Sequence, residues 1–257
     1  MVVIENLISE NLISENLISF HYFDLLSPHP IQVQNIGGIV SPKLRDIASI
    51  GYHTYQYYLA VLLQNSESCD SLFAENQMST FEGLISNSES RNLLQNILNF
   101  FIEEDVIYAP EHNGFIVKEK NEIIGFISKN EYPALCSLIC QRNHIKADKE
   151  ADLSKAKNKK ALDIMKKLQK GRAENAKHDK ADQNMELGNI ISAVANKSQS
   201  LNILNIWDLT VFQLWDCFAR LTNNNLYKIQ AMSVAAWGDK ENHFDTNAWF
   251  KKIGTDN

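Results

Sequence analysis

The stretch "DVIYAPEHNGFIVKEKNEIIGFIS", residues 105–128, decides the fold class. Three short apolar runs stand in it, separated by His112-Asn113-Gly114 and by Lys120-Asn121. That pattern suits two or three antiparallel strands joined by tight turns. Most of the surrounding sequence carries helical spacing. The reading is therefore an α+β, mainly helical fold: an N-terminal domain with a small antiparallel hairpin and long helices, a charged helical linker, and a small all-α C-terminal module.

Working outward toward the N-terminus, Leu94, Ile97, Leu98 and Phe101 share one side of a helix expected over residues 80–105. Further upstream, Ile31-Gln32-Val33-Gln34 alternates like a half-buried strand, and Gly37-Gly38 is expected to supply a turn. Ser41-Pro42 reads as a helix start with Pro at its first position. Leu44, Ile47, Ala48, Ile50 and Gly51 begin an apolar face expected to continue to about Leu63. Tyr52, Tyr55, Tyr57 and Tyr58 on that helix read as packing residues. Downstream of the strands, residues 130–141 read as a short helix entered through Pro133. Residues 20–143 form the expected α+β domain.

Residues 5–19 repeat ENLIS three times. A five-residue step turns an α-helix by about 140°, so Leu7, Leu12 and Leu17 scatter around the axis, and an odd period defeats strand alternation. A pentapeptide solenoid would place Glu5, Glu10 and Glu15 inward and would need more coils than three repeats supply. Residues 1–19 are read as a frayed terminus.

The 257 residues are 44% hydrophobic and 22% charged, an ordinary balance for a soluble protein. No apolar run approaches the roughly 18–20 residues that span a bilayer. No Lys or Arg precedes Lys43, which argues against a secretory signal, so a cytoplasmic location is expected, with reduced thiols at Cys69, Cys136, Cys140 and Cys217. The net charge of −6 is unevenly distributed: residues 142–180 hold 13 Lys or Arg against 6 Asp or Glu. Residues 144–187 therefore read as a basic helical linker, rich in Ala and Lys with a thin apolar stripe. Nucleic-acid binding through residues 146–180 is the competing reading, weakened by the lack of aromatic residues to stack bases.

All four tryptophans fall within residues 188–257, the expected helical C-terminal module. Asp208 is the expected N-cap of a helix carrying Val211, Leu214, Trp215, Phe218 and Leu221 on one face. Asn223-Asn224-Asn225 is expected to break it, with a second helix over residues 226–237 ended by Gly238 and a third over residues 246–253.

Catalytic motifs are sparse. The chain has no Gly-rich dinucleotide or phosphate loop, no His-Glu-x-x-His and no Gly-x-Ser-x-Gly elbow. Cys136, Cys140 and His144 have helical spacing, but His144 lies about 80° off the shared face and no second ligand pair accompanies them. No catalytic residue, metal or cofactor is assigned, and the chain is read as not an enzyme.

Two stretches resemble a known family: "LLSPHPIQV…IGGIVSPKLRDIASIGYHTYQYYLAVL" and "NIISAVANKSQSLNILNIWDLTVFQLWDCFARL…YKIQAMSVAAWG…NAWFKKI". They are similar to tail-morphogenesis proteins of tailed phages and prophages of Gram-positive bacteria, of the tail assembly chaperone type. The resemblance implies a non-catalytic role in the bacterial host cytoplasm, coating the helical tape-measure protein and recruiting tail-tube protein. Such a role needs apolar and aromatic surface for amphipathic helices. Trp207, Trp215, Phe218, Trp237 and Trp249 are the candidate partner-binding residues. A homo-oligomer is compatible with that role, and a minor structural virion protein is a further alternative.

Overall fold

Three antiparallel strands form where the hairpin signal stands: β3 (Asp105–Ala109), β4 (Gly114–Glu119) and β5 (Glu122–Ile127), in that order across the sheet. Asn113 (φ 48°) and Lys120 (φ 57°) take the left-handed conformation that tight reversals demand. Tyr108 faces Phe115 across the first pair and Phe115 faces Ile127 across the second, with the register slipping at Val117/Lys118. These strands and their surroundings belong to a computed structural model that describes residues 19–63, 80–145, 183–239 and 243–253. The chain divides into two units, Met1–Asp179 and Lys180–Asn257. The fold is α+β and mainly helical, with small antiparallel sheets. Residues 5–18 of the ENLIS repeat and residues 146–182 of the basic stretch lie outside the described residues.

In the first unit, α1 (Tyr22–Leu26) precedes a two-stranded sheet of β1 (Ile31–Val33) and β2 (Gly37–Ile39). Helices α2 (Leu44–Ile50), α3 (Tyr52–Leu63), α4 (Thr80–Ser86) and α5 (Ser88–Phe101) come before the three-stranded sheet, and α6 (Tyr132–Arg142) follows it. Leu94, Ile97, Leu98 and Phe101 of α5, Val106, Phe115, Val117 and Phe126 of the strands, and Leu135 and Ile139 of α6 are buried.

Several boundaries differ from the sequence expectation, each for a local reason. Gly37-Gly38 is strand and not turn; the reversal runs through residues 34–36 with Asn35 at φ 63°. Glycine is needed in the strand because Gly37 has a φ of 99°, which L side chains rarely adopt, and Gly38 N–H donates to Glu104 Oε2 at 2.8 Å. The following helix starts at Leu44 and not at Pro42, since Lys43 N–H is capped by Asp46 Oδ2 at 3.0 Å. It stops at Gly51, whose φ of 86° separates α2 from α3. The expected helix over residues 80–105 is two helices, because the Asn87 side chain accepts from Glu89 N–H at 2.9 Å and caps a new one.

Both edges of the larger sheet are occupied by the unit itself. On β3, Val106 N–H donates to Asn99 Oδ1 while Asn99 Nδ2 donates to the Val106 carbonyl, both at 2.9 Å, and Tyr108 N–H donates to Gln95 Oε1 at 3.0 Å. On β5, Phe126 N–H donates to the Asn35 carbonyl at 3.0 Å. A Cβ at Gly125 would meet that same carbonyl oxygen at 2.2 Å, so the approach of the two sheets requires glycine there.

The end of α6 holds the N-terminal segment in place. Arg142 is fully buried and its Nη1 donates to the carbonyls of Asp24 (2.9 Å), Leu25 (3.3 Å) and Ser27 (3.3 Å), while Nη2 donates to His29 at 2.9 Å. These acceptors include carbonyls that the end of α1 leaves unpaired. Phe20 N–H donates to Gln141 Oε1 at 3.0 Å, and Ser41 Oγ donates to the Arg142 carbonyl at 2.8 Å. Burial pushes the guanidinium down to about 10, so it remains charged at neutral pH.

The second unit contains α7 (Leu187–Lys197) and the 27-residue α8 (Val211–Trp237), with 3-10 turns at Ile206–Asp208 and Ala248–Phe250. Thr210 and not Asp208 caps α8: Thr210 Oγ1 accepts from Gln213 N–H at 3.2 Å and Gln213 Oε1 accepts from Thr210 N–H at 3.0 Å. Asp208 instead ends the preceding turn. The three asparagines do not break the helix. Each costs only a few tenths of a kcal/mol against a better helix former, and the Asn223 side chain donates to the Ala248 carbonyl at 2.9 Å. Gly238 (φ 77°) does end α8. The third helix expected over residues 246–253 is only the single turn at Ala248–Phe250.

Candidate partner-binding site

Apolar residues every three or four positions give α7 and the first half of α8 one buried face each. Leu187, Ile190, Ile191 and Val194 are buried on α7, as are Ile206 and, on α8, Val211, Phe212 and Leu214. The connection between the two helices is fixed by its own asparagines: Asn202 Oδ1 accepts from Leu204 and Asn205 N–H at 2.9 and 3.1 Å, and Asn205 Oδ1 accepts from Asn202 N–H at 2.7 Å. Trp207 Nε1 donates to the Ile203 carbonyl at 2.9 Å.

Beyond α8 the chain turns back along it. The Asp239 carboxylate accepts from His243 and Phe244 N–H at 3.0 and 2.8 Å, Phe244 stacks on Tyr227 at 5.5 Å, and Arg220 donates to the Lys251 carbonyl at 2.7 Å. Asp245 is ion-paired with Lys251, whose hydrogen bond, aided by Asn247 N–H, holds the carboxyl below its usual range. At 100° per residue, Arg220, Asn223 and Tyr227 lie on one side of α8. This returning segment therefore covers that side.

The opposite side, centred on Ile229, continues the buried face of the first half and is open, with Trp237 at its flank about 80° around from Ile229. Leu226, Ile229, Met232 and Trp237 are 56%, 60%, 64% and 81% exposed. At their head, a groove of about 470 Å³ is lined by Val194 and Lys197 at the end of α7 and by Phe218, Leu221, Thr222 and Asn225 of α8. A stripe of exposed large apolar residues joined to a groove is the form of a helix-docking surface.

Residues 177–254 match the family model described as YomV second domain, a prophage-associated family. The match lies almost wholly within the second unit. No curated protein and no solved structure matches the chain.

The five aromatic residues singled out in the sequence do not form one patch. Trp215 and Phe218 are half-buried and meet edge to face at 6.2 Å, with Phe218 in the groove wall. Trp207 is half-buried at the foot of α8. Trp237 is exposed at the far end of the stripe, and Trp249 is exposed on the returning segment against Phe250. Leu226, Ile229 and Met232 were not singled out, because a helix broken at residues 223–225 hides their continuity with Phe218. Their spacing to Phe218 and Leu221 was the signal.

Among the described residues of the first unit, the thiols of Cys136 and Cys140 are buried. Burial pushes Cys136 well above the usual thiol range and Cys140 up to about 11. Among the described residues no three His, Cys, Asp or Glu are placed to share a metal, and no helix is long and apolar enough to cross a membrane. The candidate nucleic-acid segment, residues 146–180, lies outside the described residues.

Proposed function

We propose that the chain is a non-catalytic assembly protein of a phage or prophage, a tail assembly chaperone or adaptor whose α8 face takes an amphipathic helix of the tape-measure protein. Recruitment of tail-tube subunits is the second half of the role. The observation that carries the reading is the open stripe of Leu226, Ile229, Met232 and Trp237 running out of the groove beside α7. A client helix lays its own apolar face along such a stripe, and binding concentrates in a few large side chains seated where water is excluded. Phe218 and Trp237 occupy the two ends of the surface. The prophage-associated match supports the setting.

The test is co-expression with the tape-measure protein of the phage or prophage that encodes this chain. The native chain is expected to keep that protein soluble and to co-purify with it. Ile229→Asp, which puts a charge in the middle of the stripe at an exposed position and leaves the buried half of α8 intact, is expected to cut recovery at least about tenfold. Equal recovery with both chains refutes the proposal.

A further inference from the structure

Resting on the reading of the α8 face as a binding surface, we infer that in the absence of a client helix a second copy of this chain closes it, the two α8 helices crossing antiparallel at Ile229.

The register carries the argument. In an antiparallel pair related by a two-fold axis at Ile229, the residue a given number of steps after Ile229 on one copy stands level with the residue the same number of steps before it on the other. Met232 then comes level with Leu226, and Trp237 comes level with Leu221 and Thr222. Those last two residues line the groove where α7 ends. The most exposed side chain of the stripe in one copy is thereby brought level with the groove-lining Thr222 of the other, and symmetry makes the exchange twice. The overlap runs from Leu221 to Trp237, about 24 Å of helix at 1.5 Å per residue. It starts where α7 stops covering α8, so α7 of neither copy stands in the way.

Charge and area agree with that occupant. Between Leu221 and Trp237 the sole formal charge is Lys228, an exposed residue about 100° around the helix from Ile229, so the one like-charge pair, Lys228 with its copy, stands at the solvated flank and not between the helices. Closing one Trp and three other large apolar side chains, each more than half exposed, removes on the order of 500 Å² per copy from water. The total of about 1,000 Å² is the threshold at which a specific interface becomes stable. A dimer at that threshold is weak, which suits a face that must be given up to a client.

Sedimentation of the purified full-length chain, without client, tests the inference over about 1–100 μM. A reversible monomer–dimer equilibrium is expected, abolished by Ile229→Asp and weakened about tenfold or more by Trp237→Ala, with helical content unchanged in both. Mixing Trp237→Cys with Thr222→Cys chains under mild oxidation is expected to give a disulfide between residues 237 and 222. A chain that stays monomeric throughout, a dimer indifferent to Ile229→Asp, or links of 237 to 237 without links of 237 to 222 would overturn it. Failure here leaves the client proposal standing, because tape-measure binding is read separately by co-expression; a client that fails to bind leaves the dimer untouched.

Discussion

Replacing Arg142 by methionine should detach the N-terminal segment of the first unit while leaving the second unit alone. The guanidinium donates at 2.9 Å to the carbonyls of Asp24 and His29 and, less well, at 3.3 Å to those of Leu25 and Ser27. Each hydrogen bond from a charged donor contributes about 1.5–3 kcal/mol. Two good ones dominate, and part of their value is offset because the substitution also removes a buried charge and the unpaired Nε. The carbonyls left behind regain water if the segment peels away, which limits the loss to about 2–3 kcal/mol. For a unit of this size that lowers Tm by about 10 °C. All four tryptophans lie in the second unit, so fluorescence excited selectively at Trp reports that unit and far-ultraviolet circular dichroism reports both. The expected result is a dichroism transition that moves down by about 10 °C, a Trp transition that stays in place, and faster hydrogen exchange across residues 22–30. Unchanged melting together with unchanged exchange in that peptide would show that the guanidinium does not hold the segment. An equal shift in both signals would refute the independence of the two units.

Gly125→Ala should destabilise the first unit by about 2–3 kcal/mol, because the new Cβ would meet the Asn35 carbonyl oxygen at 2.2 Å and neither partner is a movable side chain; chemical denaturation and faster exchange at the Phe126 amide are the readouts. Cys136 and Cys140 should resist a maleimide at pH 8 in the folded chain and react on unfolding, since both are buried with raised thiol pKa values; peptide mapping that finds either labelled as fast as a free thiol would contradict their burial. The Asp245 carboxyl, depressed by its contacts with Lys251 and Asn247, should titrate by NMR below an unstructured aspartate. Its depressed folded value means the contact is complete at neutral pH and lost as acid protonates it, so a midpoint at or above that of a free aspartate would count against the Asp245–Lys251 pair.

The strands were legible because their signal is local: Asn113-Gly114 and Lys120-Asn121 fix two reversals, and the alternation between them fixes the buried side. The buried face of α5 was legible for the same reason, from Leu94, Ile97, Leu98 and Phe101. What escaped was set by atoms far away in sequence. Gly37-Gly38 looks like a turn until Glu104, 66 residues on, takes the Gly38 N–H. Asn223-Asn224-Asn225 looks like a break until Ala248 accepts from Asn223. Gly51 separates two helices whose apolar spacing alone reads as one. At the candidate site, the aromatic residues are conspicuous by composition, but which of them face out depends on where α7 ends and which side of α8 the returning segment takes, and neither is written in the spacing.

The two units treat their apolar and hydrogen-bonding surfaces differently, which supports the proposal that binding belongs to the second. The first unit ties up much of its own edge: Asn99 and Gln95 take outer groups of β3, the Asn35 carbonyl takes the Phe126 N–H of β5, and Arg142 takes carbonyls at the end of α1 and just beyond it. A sheet so covered has little backbone left to offer a partner strand. In the second unit the same economy stops halfway along one helix. α8 is buried through Leu214, half-buried through Leu221, and then presents Leu226, Ile229, Met232 and Trp237 to solvent along about 17 Å of stripe. Beyond Asn225, where α7 ends, the returning segment supports one side of the helix through the Tyr227–Phe244 stack and leaves the Ile229 side bare. The extension of α8 to Trp237, together with the groove at its midpoint, is what the proposed docking surface would account for.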